Sequence, residues 1–284
     1  MQRTVLLNGQ FLPISQASIS IMDRGFLFAD GIYEVSAVID GKLVDNPAHL
    51  ARLERSLAAI RIENPYSAGE WTNFQKQLIA QNGLEEGVVY IQVTRGVAER
   101  DFPFPQGTAP TVMMFTQPKV VVNAPAGLNG VPIITVPDIR WARRDIKTIG
   151  LLAQTLAKQA AVEQQCAEAW MVEDGYITEG SSSTAFIITQ NDVLVTRPMS
   201  NSVLPGVTRL ALLRVAQERD LAVEERLFSV EEAYAASEAF YTSASSFVAP
   251  VNSIDGRPIG TGAPGLHTKR LRELYLEFAR GSLE

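Results

Sequence analysis

The sequence predicts a two-domain protein of mixed class, α+β in its first part and α/β beyond, and three observations carry that reading. The chain has 284 residues, more than one hydrophobic core usually serves, so two domains or one large α/β domain are the arrangements to weigh. Runs of β-like alternation and runs of helical spacing follow one another, with helices set between groups of strands. Proline and glycine crowd together in "PKVVVNAPAGLNG", where Pro118, Pro125, Gly127 and Gly130 mark a linker. The expected organisation is an N-terminal α+β domain over 1–118, an interdomain linker over 119–130 and a C-terminal domain over 131–284.

Taken in order, "TVLLNGQFL" is two short strands around Asn8-Gly9, a strong hairpin signal. "GIYEVSAVIDGKLV" repeats the device around Asp40-Gly41. In "PAHLARLERSLAAIRI", Leu50, Leu53, Leu57 and Ile60 recur at helical spacing and leave Arg52 and Arg55 on other sides. A second helix covers "AGEWTNFQKQLIAQNG" and stops at Gly83. The strands "GVVYIQVTRG" and "PTVMMFTQ" complete this part. Beyond the linker come a strand in "VPIITVPDIRW", a helix in "TIGLLAQTLAKQAAVEQQ" and a hairpin in "AEAWMVEDGYITEG" that turns at Asp174-Gly175. "TAFIITQNDVLVTRP" reads as another hairpin, and "LPGVTRLALLRVAQERD" as a turn entering a helix. A helix near "SVEEAYAA", a strand "EAFYTSASSFVAPV" and a terminal helix from about Thr268 end the chain.

Composition excludes several function classes. Hydrophobic residues make up 46% and charged residues 20%, which is too apolar for disorder. A formal net charge of −6 argues against a general nucleic-acid binder, since neutralising phosphates requires a cationic surface. The single cysteine, Cys166, cannot form an intrachain disulfide, and a reducing compartment follows as the simplest inference. His49 and His267 stand in no metal-ligand spacing, so no metal site is expected. No apolar stretch approaches the roughly 20 residues that span a bilayer. The opening "MQRTVLLNGQFLP" lacks a signal peptide's long apolar core, so a cytoplasmic protein is expected.

The chain has only six lysines, which permits an elimination. Lys42, Lys76, Lys119 and Lys269 lie in polar, solvated contexts, and Lys158 is mid-helix. Lys147 ends the run Arg143-Arg144-Asp145-Ile146-Lys147 where a strand gives way to a helix. Neighbouring cations and partial burial both favour a neutral amine, as a Schiff-base lysine needs; a surface lysine at a helix entry fits the same position. In "ITEGSSSTAF", Glu179 ends a strand before a tight serine turn. A buried carboxylate facing a cationic nitrogen, with hydroxyls and amides for anionic oxygens, is one account of it, and a hydroxyl-rich loop is the other. In "LPGVTRLALL", Pro205-Gly206 turns into a helix that Thr208 can cap, and a helix start with a hydroxyl makes a phosphate cradle; capping alone explains Thr208 equally well. Ser243, in "YTSASSF", adds a small polar residue at a strand end.

An amine for a Schiff base, a carboxylate for a pyridine nitrogen and a phosphate cradle are together what pyridoxal phosphate requires. Five motifs, "DRGFLFADGIYEV" at 23–35, "YIQVTRG" at 90–96, "DIRWARRDIKTIGLLAQTLAKQAA", "TEGSSSTAF" and "LPGVTR", stand in an order and at separations that are highly specific. On these the chain resembles, over almost its whole length, the D-amino-acid transaminases of the branched-chain aminotransferase-like (fold type IV) pyridoxal-phosphate enzymes. The resemblance implies a two-domain fold, with a smaller N-terminal α+β domain, a larger C-terminal pseudo-barrel domain and pyridoxal 5'-phosphate between them. It also implies a homodimer whose active site borrows from the neighbouring subunit. By position, Lys147 matches the lysine that joins the cofactor, Glu179 the carboxylate on the pyridine nitrogen and Arg52 a phosphate-binding arginine. Val207, Thr208, Ser243 and Ala244 match the other phosphate contacts, with Ala244 limited to its backbone N–H. Tyr33 matches an active-site tyrosine and Arg140 a structural arginine.

One departure bears on the substrate. Where the family's Arg-x-His pair holds the substrate carboxylate, this chain has Arg100 and Phe102, so a donor is replaced by a ring. A hydrogen bond to a charged group is worth about 1.5–3 kcal/mol. The carboxylate is then held by Arg100 alone, by another arginine such as Arg24 or Arg143, or loosely enough to admit amines without one. The expected activity is transamination between D-amino acids and 2-oxo acids. An (R)-selective amine:pyruvate transaminase is the alternative, followed by a branched-chain L-amino-acid transaminase and an aminodeoxychorismate lyase. A non-catalytic cofactor-binding protein is the contender from another class. Expected partners are amino acids or amines and 2-oxo acids, with no nucleic acid and no membrane.

Overall fold

In the computed structural model, which describes residues 3–218 and 221–284, Asn8-Gly9 and Asp40-Gly41 carry positive φ at both positions (48° and 80°; 51° and 71°). Such turns share the right-handed twist of the strands they join. They connect β1 (Thr4–Leu7) to β2 (Gln10–Pro13) and β3 (Gly31–Ile39) to β4 (Lys42–Leu43). A short helix that periodicity could not reveal, α1 (Arg24–Phe28), precedes β3; the Asp23 side chain caps it by accepting from Gly25 N–H at 2.8 Å. The helices α2 (Asn46–Ala59) and α3 (Ala68–Asn82) follow, the latter entered through a Ser67/Glu70 capping box and ended by Gly83 at φ 58°. With β5 (Gly87–Thr94) and β6 (Thr111–Pro118) the strands form a six-stranded antiparallel sheet, ordered β2-β1-β6-β5-β3-β4. Its core joins Leu50, Leu53 and Leu57 of α2 and Trp71 and Leu78 of α3 to Ile32, Ile91 and Val93 of the sheet.

The chain divides into two compact units, the first comprising 1–120, 146–150 and 282–284, the second 121–145 and 151–281. The short return segment of the first unit lies along β3. Ile146 enters its core, Thr148 bridges to Ile32, the Lys147 carbonyl accepts from Tyr33 N–H at 3.0 Å, and Ile149 N–H donates to Gly31 at 3.1 Å.

The second unit opens with α4 (Pro125–Asn129), a helix inside the stretch read as a linker. β7 (Val131–Pro137) ends before Asp138, and α5 (Leu152–Glu163) begins well beyond Lys147, which therefore lies in a long connection. β8 (Glu168–Glu173) and β9 (Tyr176–Gly180) turn at Asp174-Gly175, and β10 (Thr184–Ile188) pairs with β11 (Leu194–Thr196). The helix α6 (Val207–Gln217) follows; the last two residues of the stretch assigned to it, Arg219 and Asp220, lie outside the described residues, as do Met1 and Gln2 of the opening segment. Then come β12 (Val223–Glu225) and α7 (Val230–Tyr234). "EAFYTSASSFVAPV" is an antiparallel pair rather than one strand: β13 (Glu238–Ser243) and β14 (Phe247–Ile254) turn at residues 244–246. β15 (Arg257–Pro258) and α8 (Leu266–Gly281) complete the unit. The nine-stranded sheet runs β12-β11-β10-β13-β14-β7-β8-β9, with β15 beside β14. Among the described residues no helix is long and apolar enough to cross a membrane.

Candidate active site

In the second unit the constellation begins at the end of β9. Glu179 is 4% exposed; its carboxylate is paired with Arg140 and accepts the Leu204 N–H at 3.3 and 3.2 Å. Arg140 is itself clasped by Asp138, whose Oδ2 accepts from Nη2 at 2.7 Å and from the Thr178 hydroxyl at 2.6 Å. Burial pushes the Glu179 carboxyl above the usual range, against the opposing pull of Arg140 and the Leu204 N–H. A carboxylate with so little water gains from a further cationic donor, such as a protonated ring nitrogen.

The Leu204 N–H also fixes the turn into α6. The helix cap is Gly206, not Thr208, and no side chain caps it; Thr208 is the second helical residue and is buried. The Val207 and Thr208 N–H groups, in the first turn, have no carbonyl of their own helix to meet. A Cβ on Gly206 would stand 2.8 Å from the Thr184 hydroxyl, so the turn seats directly on β10. Thr184 pairs in register with Thr242, next to Ser243 at the end of β13. Ser243 accepts the Ser246 N–H at 3.1 Å and so closes its own turn, within which Ala244 lies partly buried.

The serines after Glu179 correct an expectation. Their hydroxyls are not offered to an external anion: Ser181, Ser182 (3.2 Å) and Ser183 (3.0 Å) all donate to Glu168, a buried residue at the start of β8.

In the first unit, the partly buried Lys147 places Nζ 4.2 Å from the centroid of the Tyr33 ring, and that amine makes no hydrogen bond or ion pair among the described residues. Tyr33 stacks on Tyr90, which stacks on Phe115. Arg52 is held by Glu34, through Nε at 2.7 Å and Nη2 at 2.8 Å, and His49 meets the same carboxylate at 3.0 Å. Arg143 and Arg144, expected to act as cations near Lys147, are each taken up by acids of the second unit: Arg143 by Asp145 at 2.9 Å, Arg144 by Glu173 at 2.7 Å.

Of the three arginines considered for a substrate carboxylate, Arg24 is buried and spent on Asp30 at 2.8 Å and the Asp101 carbonyl at 2.5 Å, and Arg143 is paired with Asp145. Arg100 has no carboxylate partner among the described residues; its guanidinium lies 5.2 Å from the Phe28 ring and 5.7 Å from the Phe102 ring. Within the second unit the donor set fits a phosphorylated pyridine: a dry carboxylate for the ring nitrogen and an uncapped helix start for the phosphate.

The amino-transferase class IV family model matches residues 31–254. The chain belongs to that family. It is 40% identical over 268 residues to the D-alanine aminotransferase of Bacillus licheniformis, with 94% of each chain covered. It is 39% identical over 277 residues to that of Staphylococcus aureus (strain MSSA476), covering 96% of this chain and 97% of the relative. The T.th. branched-chain amino acid aminotransferase, solved with pyridoxamine 5'-phosphate, superposes with a TM-score of 0.92 at 25% identity, over 100% of this chain and 98% of that one. The fold is therefore that of the fold type IV aminotransferases.

In this class IV aminotransferase, reading the sequence alone missed Glu34, which holds Arg52, and three further carboxylates that hold other residues in place. Asp138 supports Arg140, Asp30 joins Arg24 to Arg95, and Glu168 gathers the serines. Asp30, Glu34 and Asp138 lie inside quoted motifs in which no role was read for them, and Glu168 lies in none. The one signal available was negative: each acid sits in or beside a β-like run, where an unpaired charge is costly and implies a partner.

Proposed function

We propose that this class IV aminotransferase is a pyridoxal-phosphate-dependent transaminase exchanging amino groups between D-amino acids and 2-oxo acids. The observation that carries this reading is the tie from Glu179 through Leu204 N–H to the uncapped start of α6, which joins a ring-nitrogen partner to a phosphate site. The D-alanine aminotransferases to which the chain is similar support the D-amino-acid assignment. The resemblance of its motifs supports a homodimer acting in the cytoplasm.

When bound, the cofactor supplies an electrophilic carbon for the amine and a ring that accepts electrons. Lys147 would hold the cofactor covalently, and its Nζ would be the base that takes a proton from the substrate α-carbon. Tyr33 lies under that amine and limits where it can move. Glu179 would hydrogen-bond the ring nitrogen and keep its proton in place, while Arg140 holds Glu179 in turn. By the resemblance, Arg52, Thr208 and Ser243, with backbone N–H groups of Val207 and Ala244, would hold the phosphate and so fix the ring plane against the bond to be broken. Arg100 receives the substrate carboxylate.

Phe102 favours a second reading. It offers no hydrogen bond where the family places a histidine, so an (R)-amine lacking a carboxylate loses little by comparison. D-alanine, L-leucine and (R)-1-phenylethylamine, each added to the holoenzyme while the cofactor's visible band is followed, separate the readings. Conversion by D-alanine is expected; conversion by L-leucine alone overturns the D-specific assignment. Borohydride reduction and peptide mapping are expected to find the cofactor on Lys147, and Lys147→Ala to lower turnover by about 10²–10⁴-fold. A label on another amine, or on none, overturns the assignment of Lys147.

A further inference from the structure

Four donors converge on Glu168, which is 1% exposed. Oε1 accepts the Ser181 hydroxyl and the Ala169 N–H (2.9 Å); Oε2 accepts the hydroxyls of Ser182 (3.2 Å) and Ser183 (3.0 Å). Lys158 of α5 stands 3.6 Å from Oε1. A carboxylate offers about four lone-pair sites, and here each oxygen takes two donors. Burying such a group is expensive, and apolar side chains fill comparable space at no loss of stability. Packing alone therefore gives no reason for an acid at this position.

The geometry it imposes does. The three serines form the turn that follows Glu179 and Gly180. Gly180 N–H donates to the Ser183 carbonyl at 2.7 Å, and Ser181 N–H to the Ala169 carbonyl at 2.9 Å, next to Glu168 itself. A Cβ on Gly180 would stand 2.0 Å from the Ser183 hydroxyl, so the turn closes tightly over the residue adjoining Glu179. The Glu168 side chain thus binds every residue of a turn whose entry sets the backbone of Glu179.

We propose that Glu168 is a positioning residue, which gathers Ser181, Ser182 and Ser183 so that the Glu179 carboxylate is held where the cofactor's ring nitrogen meets it. This rests on the role given to Glu179 above. It also accounts for the three serines, whose hydroxyls are spent inside the protein.

A double-mutant cycle tests it. The rate of cofactor release from the holoenzyme is measured for the parent, Glu168→Gln, Glu179→Gln and the double variant, with the pH dependence of the visible band and the thermal midpoint recorded alongside. Residues acting through one another are non-additive, so Glu168→Gln is expected to speed release about 10-fold in the parent and less than about twofold in the Glu179→Gln background. It is also expected to move the band's pH profile toward that of Glu179→Gln. Equal acceleration in both backgrounds, or a lowered thermal midpoint with an unmoved profile, shows a merely structural role and overturns the proposal. If Glu179→Gln by itself changes neither release nor the band, the role of Glu179 fails instead. Should Glu168→Gln not fold, Ser182→Ala, which removes the donor of an exposed residue, completes the same cycle with an expected two- to threefold effect, about that of one weakened hydrogen bond.

Discussion

A single ring decides how a substrate carboxylate is received. Arg100 lies against Phe28 and Phe102, and cation–ring contact at an exposed site is worth about 0.5–1 kcal/mol. That steadies the guanidinium without using its N–H groups. Replacing Phe102 by His restores a donor, and a charge-assisted hydrogen bond of about 1.5–3 kcal/mol corresponds to roughly 10–100-fold. Phe102→His is therefore expected to lower KM for D-alanine by that factor and to leave (R)-1-phenylethylamine almost unchanged. Steady-state kinetics on both donors checks it, and an equal change for both rules out Phe102 as a carboxylate determinant. At this scale the sequence was informative wherever a residue type is scarce. Six lysines allowed Lys147 to be singled out by elimination, whereas Glu168 is one acid among many, and its serine partners are distant in the chain.

Elements, more than single residues, hold the segment that carries Arg100 and Phe102. Asp30, just beyond α1, pairs with Arg24 at 2.8 Å and with Arg95 at 2.7 and 2.9 Å. Arg24 donates to the Asp101 carbonyl, and the Arg95 guanidinium stands 3.6 Å from the Phe104 ring, so both ends of the "RDFPF" segment depend on one carboxylate. Breaking a buried ion pair by removing one partner's charge costs about 3–5 kcal/mol. Asp30→Asn is expected to lower the unfolding free energy toward that range and to raise KM for D-alanine more than it lowers kcat; urea unfolding and kinetics read the two effects separately. The same scale explains what sequence patterns concealed. α1 has five residues, too few for a 3.6-residue period to show. The β13 and β14 pair looked like one strand because its turn contains no glycine; its left-handed residue is Phe247, at φ 55°, where an aromatic gives no turn signal. Hairpins at Asn-Gly and Asp-Gly were legible because their residue types match the positive φ they must adopt.

At the scale of the whole molecule, buried acids make stability depend on pH in a direction that can be worked out. Burial alone would raise the Glu34 carboxyl, but Arg52 and His49 outweigh it and hold it well below the ordinary carboxylate range. Asp30, with Arg95 and Arg24, and Asp138, with Arg140 and Thr178, are likewise lowered against the effect of burial. Such a group is ionised in the folded protein at pH values where the unfolded chain has already bound a proton. Its stabilisation is complete above the unfolded pKa, about 3.9 for Asp and 4.3 for Glu, and is lost as pH falls toward the folded value. Glu179 has the opposite sign, since its raised carboxyl keeps a proton longer in the folded state and so costs stability as pH rises through its folded pKa. Among these buried acids, three lowered against one raised give a net loss below about pH 4.5, in the same direction as the more exposed Glu70 and Glu173, and on this acid limb Glu34, with no exposed surface, contributes most directly. Urea unfolding from pH 3 to 7 is expected to show the free energy falling steeply on that limb. Glu34→Gln should be less stable at pH 7, because Arg52 is left buried without its carboxylate, and should show a shallower acid slope, because one lowered titration is gone. Equal slopes in the parent and the variant would mean that the Glu34 and Arg52 pair does not set the acid stability of the protein.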